Sequence, residues 1–355
     1  MSTTTESTSL RQSWAQRRKD FKPQAVSIAE SDLTSTRLLT PEEELPLVIE
    51  PRMPGVDLPE WARENADFIE KALLKNGGVL FRGFDVRGQE GFQSFLRSYP
   101  LELMHYIEGA TPRTQLTDKV YTSTEFPANE TIALHNELCY VNTWPMKILF
   151  FCAQAPPVGG ETPIADVRKV YQLIDPEVRQ RFFDKGGWML MRNFSERVGL
   201  PWQVSYRTED KATVERYFRE NGIGCEWLSD NRLRTRQVRP VAERHPVTRE
   251  WCWFTHVSFW HVSSLDPTVR EVMLRDLHED GLPYATYYGD GTPIEDSVIA
   301  HVREAFGKAT VAFPWQEGDL LLLDNMLTAH GRRPFEGPRK ILTAMGQACR
   351  RDQVQ

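Results

Sequence analysis

The sequence predicts a mainly β protein with α elements: a double-stranded β-helix (jelly roll) with flanking helices and a helix-containing insertion. Three observations predict it. Strand-like runs lie toward both ends of the chain, at Val79–Phe84, Met146–Gln154, Leu320–Leu323 and Arg339–Gly346. Between about 166 and 310 the pattern turns mostly helical. No stretch within 46–355 reads as a linker, so those residues are expected to form one domain.

Residues 1–45 are Ser/Thr-rich and then mixed in charge, without periodicity. They are expected to form a flexible arm, disordered at its tip and wrapping further on. Leu45–Gly55 reads as a short strand broken by Pro51 and Pro54. Asp57 resembles a helix cap; Ala62, Ala66, Ile69 and Leu73 follow at helical spacing, and Gly77–Gly78 ends the helix. Val79–Phe84 is a buried strand and Glu90–Ser98 a second helix. Met146–Gln154 is apolar throughout, with Pro156–Pro157 and Gly159–Gly160 after it as punctuation.

The insertion opens at Asp166 with a helical pattern that Asp175–Pro176 interrupts, placing a proline at the first position of a further helix. Trp188–Asn193 and Leu233–Val238 are candidate strands, with a helix near Lys211–Glu220 between them. Trp251–Val262 is aromatic and strand-like, and Asp266–Pro267 and Pro293 open two more helices. Leu320–Leu323 and Arg339–Gly346 close the chain as strands.

Composition narrows the function classes. Lys and Arg number 43 against 49 acidic residues, a net charge of −6. That balance gives no electrostatic footprint for nucleic acid or an anionic membrane surface, and speaks against a nucleic-acid or chromatin demethylase on the same fold. No apolar run approaches the roughly 20 residues of a membrane span. The polar start of the chain lacks the apolar core of a secretory signal. Five scattered cysteines without a Cys-x-x-Cys pair point to reduced thiols and a cytoplasmic protein.

The chemistry-bearing residues lie in Leu134–Leu138 and Thr328–Arg332. In an extended strand, residues two apart share a face, so His135 and Glu137 project together. His330 from a distant strand completes a 2-His-1-carboxylate set, the donor arrangement of non-haem Fe(II) oxygenases. Alone, His-x-Glu is more often a core histidine beside a solvated charge. His256 and His261 are weaker rival ligands, since neither has a carboxylate two residues away, and His245 before Pro246 reads as structural. Asp324–Asn325, just before His330, are candidates for fixing the ligand imidazoles. Gly159–Thr162 is a turn that could bring the Thr162 hydroxyl to an anion. Arg339, nine residues after His330, offers the planar fork of donors that a carboxylate needs.

The order of these pieces is more telling than any one of them. Leu80–Phe84, Thr111–Arg113, Tyr121–Thr124, His135–Glu137, Gly159–Asp166, Tyr288–Gly291, Asp324–Asn325 and His330–Phe335 together resemble the taurine dioxygenase (TauD/TfdA) superfamily of Fe(II)/2-oxoglutarate oxygenases, and within it the SyrP-like branch. The resemblance runs from about residue 78 to 346. It implies that His135, Glu137 and His330 ligate Fe(II) and act in catalysis. Arg339, helped by Thr162, would hold the distal carboxylate of 2-oxoglutarate, with O2 as the further co-substrate. It implies an amino-acid-like substrate, free or tethered to a carrier protein in natural-product biosynthesis. Hydroxylation is the default outcome, with desaturation or ring closure as alternatives from the same hydrogen abstraction. A glutamate at 137, where related halogenases carry a small residue, disfavours halogenation. Arg113, Thr124 and Phe254 are the expected substrate contacts, together with Thr343, which stands where the family's sulfonate-binding arginine falls and so argues against a sulfonate. The expected Asn-Gln after Trp-Phe is here Thr255–His256, a departure at the substrate border. Assembly as a homo-oligomer stays open. A non-catalytic jelly-roll binding protein is the alternative of another class.

Overall fold

The computed structural model describes residues 33–105, 115–117, 119–123, 126–196 and 199–354. Two β-sheets share one core. The major sheet has eight described strands: β1 (Thr34–Thr40), β2 (Glu43–Pro51), β3 (Gly78–Phe81), β4 (Gln115–Thr117), β5 (Val120–Thr122), β7 (Thr143–Gln154), β17 (Leu320–Asp324) and β20 (Lys340–Arg350). Their spatial order is β1-β2-β3-β17-β7-β20-β5-β4, antiparallel except for β2 beside β3. The minor sheet, in the order β16-β9-β18-β6, comprises β6 (Ile132–His135), β9 (Ile164–Asp166), β16 (Thr310–Val311) and β18 (Thr328–Arg332). A short pair, β8 (Val158–Gly159) with β19 (Phe335–Glu336), follows at its edge. Sequence-distant strands pair in both sheets, as the double-stranded β-helix requires.

The apolar run of β7 has a two-sided explanation. Side chains alternate across a strand. Ile148, Phe150 and Cys152 therefore enter the core between the sheets with Ile164, Ala165 and Ala329. Leu149 and Phe151 face the other way, against Leu73, Phe92 and Phe95 of the covering helices. Leu321 and Leu323 of β17 point inward and Leu320 and Leu322 outward. A strand buried on both faces reads as a continuous apolar run, and each fully buried leucine contributes about 1.5–3 kcal/mol.

The covering layer follows from its caps. Asp57 Oδ1 accepts the Glu60 N–H at 2.9 Å and starts the helix Leu58–Glu64. The single helix expected here is two, because Asn65 leaves helical geometry and its Nδ2 donates back to Trp61 O at 2.8 Å. The second, Ala66–Asn76, ends at Gly77. The third, Gly88–Ser98, buries Phe92, Phe95 and Leu96.

The sheet begins inside the stretch expected to be an arm: β1 pairs with β2 from Thr34↔Pro51 to Thr40↔Glu43. The insertion after β9 carries helices Val167–Leu173, Pro176–Asp184, Lys211–Asn221, Pro267–Leu277 and Asp296–Lys308. It also holds a four-stranded antiparallel sheet, β11 (Gly224–Trp227), β12 (Leu233–Arg239), β10 (Trp188–Phe194) and β15 (Tyr284–Tyr288) in spatial order. Phe194, Trp202, Val214, Phe218 and Leu233 give it a small core of its own. The last helix starts at Asp296, three residues beyond Pro293, which bridges to Tyr287 instead.

One expected strand is corrected. In Trp251–Val262 only Trp251–Cys252 is extended and paired, as β14 with β13 (Glu243–Arg244). Beyond it Thr255 Oγ1 takes the Val257 N–H at 3.0 Å, and His256 O takes the N–H groups of Phe259 and Trp260. These local bonds displace the ladder. The aromatic run records burial from several sides rather than strand alternation, since Cys252, Trp253, Phe254 and Val257 are all fully buried.

Candidate metal centre

His330 and His135 are Cα partners across β18 and β6, so their side chains leave the same face of the minor sheet. Their rings lie 4.6 Å apart. The approach needs Gly331: a Cβ there would meet Ile132 O at 2.5 Å.

Glu137 arrives by a different route from the strand alternation expected for it. β6 ends at His135, and the chain then turns. Asn136 Nδ2 donates to Asn325 O at 2.6 Å. Asn325 Oδ1 accepts the Glu137 N–H, and its Nδ2 donates to Glu137 O and Pro145 O. Leu138 completes the turn at φ +56°, a left-handed conformation that costs a non-glycine residue about 1–2 kcal/mol. The outcome is that one ligand atom from each of His135, Glu137 and His330 lies within 4.8 Å of the others, all three residues being buried. His330 Nε2 stands 3.9 Å from Glu137 Oε2.

The donor set fits a divalent iron. His135 Nδ1 lies 2.9 Å from Ala133 O. A carbonyl only accepts, so Nδ1 carries the proton and Nε2 keeps its lone pair for a metal. Two imidazoles and one carboxylate on one face leave the other positions of an octahedron open.

Asp324 and Asn325 support the site differently from expectation. Neither bonds a ligand imidazole. Asn325 holds the backbone at Glu137. Asp324 receives Lys147 Nζ at 2.9 Å, His245 Nε2 at 3.4 Å and the N–H groups of Met326 and Leu327. Burial alone would raise the Asp324 carboxyl; Lys147 and His245 outweigh it and hold it well below the usual carboxylate range. His245 Nδ1 accepts from Val247 and Thr248, so this histidine is structural. His261 contacts Ser263 through Nδ1 and Ile294 O through Nε2, which leaves neither nitrogen for a metal. His256 stands beside His135, with ring centroids 5.3 Å apart, but Cys139 Sγ occupies its Nδ1 at 2.6 Å.

A cleft opens beside the ligands, lined by Ser123, Phe150, Thr162, His330 and Arg339 among others. Arg339 is anchored by Nε to Gly160 O at 2.9 Å. Its two terminal nitrogens lie 3.4 Å from Ser123 Oγ and 3.5 Å from Thr162 Oγ1. Gly160 makes room for it, since a Cβ at φ +71° would sit 3.1 Å from Arg339 Cδ. Among the described residues no carboxylate pairs with this guanidinium; burial, and then the charge of Arg332, draw it down to about 10. Thr162 Oγ1 accepts from Trp315 Nε1 at 3.2 Å and from Arg339, so its own proton remains for a third group. A buried cation flanked by hydroxyls suits the distal carboxylate of a keto diacid.

The remaining expected residues fall in different places. Phe254 is fully buried in the core, its ring against Trp144 at 5.2 Å, rather than at the site. Phe259 of the same stretch is half-buried and faces His135 at 4.9 Å; nothing in the spacing marks it out. Thr343 is buried on the inner side of β20, opposite Phe150 and Tyr121, its hydroxyl without a hydrogen-bond partner among the described residues. Arg113 and Thr124 lie outside the described residues. Ser123 joins the cleft without having been anticipated.

A buried His135–Glu137–His330 cluster on a double-stranded β-helix, beside a cleft where no described carboxylate pairs with Arg339, has the donor set of a non-haem iron oxygenase that uses a keto-acid co-substrate. The comparisons with known proteins agree. The chain matches the model of the taurine catabolism dioxygenase TauD, TfdA family over residues 36–345, and it belongs to that family. It is thus an Fe(II)/2-oxoglutarate-dependent dioxygenase, with O2 as co-substrate. It is 43% identical over 277 residues to the dapdiamide synthesis protein DdaC of Enterobacter agglomerans, covering 78% of this chain and 84% of that one. A clavaminate synthase-like protein of Arabidopsis thaliana is 29% identical over 310 residues, 82% of this chain and 89% of that one. The crystal structure of PvcB from Pseudomonas aeruginosa shares the fold, with a TM-score of 0.56 at 19% identity over 94% of this chain and 99% of that one. Among the described residues no helix is long and apolar enough to cross a membrane.

Proposed function

We propose that this oxygenase hydroxylates an unactivated C–H bond of an amino acid or amino-acid-derived molecule, free or tethered to a carrier protein, in a natural-product pathway. The observation that carries the reading is the juxtaposition of the buried His135–Glu137–His330 face with the Arg339 fork, which has no carboxylate partner among the described residues. The dapdiamide synthesis protein, at 43% identity, supports an amino-acid-related substrate and a biosynthetic setting. Five unpaired cysteines suit a reducing, cytoplasmic location.

Iron(II) with 2-oxoglutarate and dioxygen supplies the oxidising power for the C–H bond. The chain's residues do the rest. His135, Glu137 and His330 hold the metal. Arg339 and Thr162 orient the co-substrate through its distal carboxylate. Phe150 stands 5.0 Å from the ring of His330 and Phe259 stands 4.9 Å from that of His135, and together they limit bulk water around the ligands. Glu137 would give the metal a protein carboxylate oxygen, which disfavours halogenation.

The test is mass spectrometry of the protein supplied with iron(II), 2-oxoglutarate, air and pooled L-amino acids. A product heavier by one oxygen is expected. A product lighter by two hydrogens would replace hydroxylation with desaturation or ring closure. Anaerobic titration with iron(II) and 2-oxoglutarate gives an independent reading: a metal-to-ligand charge-transfer band is expected in the parent protein and absent in His330→Ala. If no band forms in the parent protein, the reading is wrong.

A further inference from the structure

The cleft beside the metal face holds a second arginine that the proposed chemistry leaves without a task. Arg332 follows the candidate ligand His330 by two residues and lines the same cleft as Ser123, Thr162 and Arg339. It is 5% exposed. Both guanidinium groups reach one aromatic ring: the central carbons of Arg332 and Arg339 stand 5.2 and 5.5 Å from the centre of Phe335. Two cations thus share one cleft, and among the described residues every hydrogen bond they make goes to a carbonyl or a hydroxyl.

The far end of Arg332 is committed to the backbone. Nη1 donates to Phe126 O at 2.9 Å, and Nη2 donates to Pro127 O at 2.5 Å and Glu130 O at 2.9 Å. These bonds fix the guanidinium against the segment that leads into β6 and so to His135. Nε is the one nitrogen of the three that is buried without a hydrogen-bond partner among the described residues. A buried N–H donor without an acceptor is costly, and this one belongs to a side chain in the wall of the co-substrate cleft. The distal carboxylate of a keto diacid has two oxygens with about four acceptor sites, more than the two terminal nitrogens of Arg339 fill.

We propose that Arg332 Nε–H is a second charged donor to the distal carboxylate of 2-oxoglutarate, beside the fork of Arg339. Arg332 then joins the co-substrate to the Phe126–Glu130 backbone ahead of the first metal ligand. Two guanidinium groups select a terminal carboxylate over a terminal amide of the same shape, whose NH2 would meet only donors. The inference rests on the reading of Arg339 as the anchor of the co-substrate.

Nitrogen-15 NMR of the arginine Nε–H groups tests this in the parent protein. With Zn(II) as a diamagnetic metal, adding 2-oxoglutarate is expected to move the Arg332 Nε–H proton downfield. Adding 2-oxovalerate, the same keto acid with a methyl group in place of the distal carboxylate, is expected to leave it in place. An unmoved proton with 2-oxoglutarate, or an equal shift with both acids, overturns the proposal; so does a shift that waits for pooled L-amino acids. A variant gives a second reading through the anaerobic iron(II) charge-transfer band. Arg332→Lys keeps a charge and donors for the carbonyls but has no Nε–H. It is expected to raise the 2-oxoglutarate Kd roughly tenfold and to leave the 2-oxovalerate Kd within about twofold. An equal loss for both acids would mark Arg332 as a support of the Phe126–Glu130 segment only and overturn the proposal. Failure of the band in the parent protein sinks the proposed function; a normal band with an unmoved Arg332 Nε–H sinks this inference alone.

Discussion

Asn325 grips Glu137 by its backbone on both sides: Oδ1 accepts the Glu137 N–H at 2.8 Å and Nδ2 donates to Glu137 O at 2.8 Å. The Glu137 backbone, and with it the candidate ligand carboxylate, therefore owes its position to a residue 188 places along the chain. Replacing Asn325 by Ala leaves three buried backbone groups, at Glu137 and Pro145, without this partner. The expected result is a loss of about 1–3 kcal/mol in stability and a roughly 10–100-fold weaker metal affinity. Denaturant titration and anaerobic metal titration read the two effects separately.

The role proposed for Arg339 concerns the co-substrate and not the metal. Charge-assisted bonds to a carboxylate are worth about 1.5–3 kcal/mol, so Arg339→Ala is expected to raise the 2-oxoglutarate Kd by roughly 10–100-fold or more. Arg339→Lys keeps the charge but loses the fork, and is expected to recover only part. Metal affinity without co-substrate is expected to stay within about twofold in both, since Arg339 touches none of the three ligands.

Gly331 separates His330 from the backbone of β6. An added methyl group would press on Ile132 O at 2.5 Å, so one strand must shift from the other. Gly331→Ala is expected to cost about 1–3 kcal/mol and to abolish metal binding at micromolar iron(II), because the pairing it opens is the one that aligns His330 with His135. Retained affinity would show that the ladder tolerates the shift.

Asp324 and Lys147 test the support beneath the site. Both are buried, 2.9 Å apart. Lys147→Met strands the carboxylate with His245, and is expected to cost about 3–5 kcal/mol. The sign of the pH effect follows from the lowered carboxyl of Asp324. A depressed folded-state pKa gives stability that is complete above the unfolded value, about 3.9, and drains as pH falls through that value toward the folded one. Asp324→Asn is thus expected to be less stable at pH 7 and to show a flatter acid limb below about pH 4.

Metal and co-substrate should stabilise the fold together. A ligand at a hundredfold excess over its Kd adds about 2.7 kcal/mol. Iron(II) under nitrogen is expected to raise Tm, with a further rise on adding 2-oxoglutarate. The second rise, but not the first, is expected to vanish in Arg339→Ala.

Much of this was legible in the residues. The two-sided burial of β7 and β17 shows as continuous apolar runs, and the caps at Asp57, Gly77 and Asp166 show as residue types. His135, Glu137, His330, Thr162 and Arg339 can be named because their chemistry is distinctive and their order in the chain suggestive. The stretch Trp251–Val262 was opaque. Its aromatic density signals burial, but burial in a strand and burial in a folded loop leave the same composition, so the pattern pointed to Phe254 when Phe259 and His256 are the residues beside His135.

The sequence by itself determined the donor set, the carboxylate at 137, the candidate anion-binding arginine and the strand runs that carry them, because side-chain chemistry and two-residue alternation are local properties. Tertiary structure alone decided that Glu137 joins His135 and His330 through a turn held by Asn325, that no described carboxylate pairs with Arg339, and that Cys139 Sγ meets His256 Nδ1. Each of these depends on groups more than a hundred residues apart meeting at hydrogen-bond distance. Which strands pair, and in which register, sets those meetings, and that pairing is settled by packing the whole core rather than by any one segment.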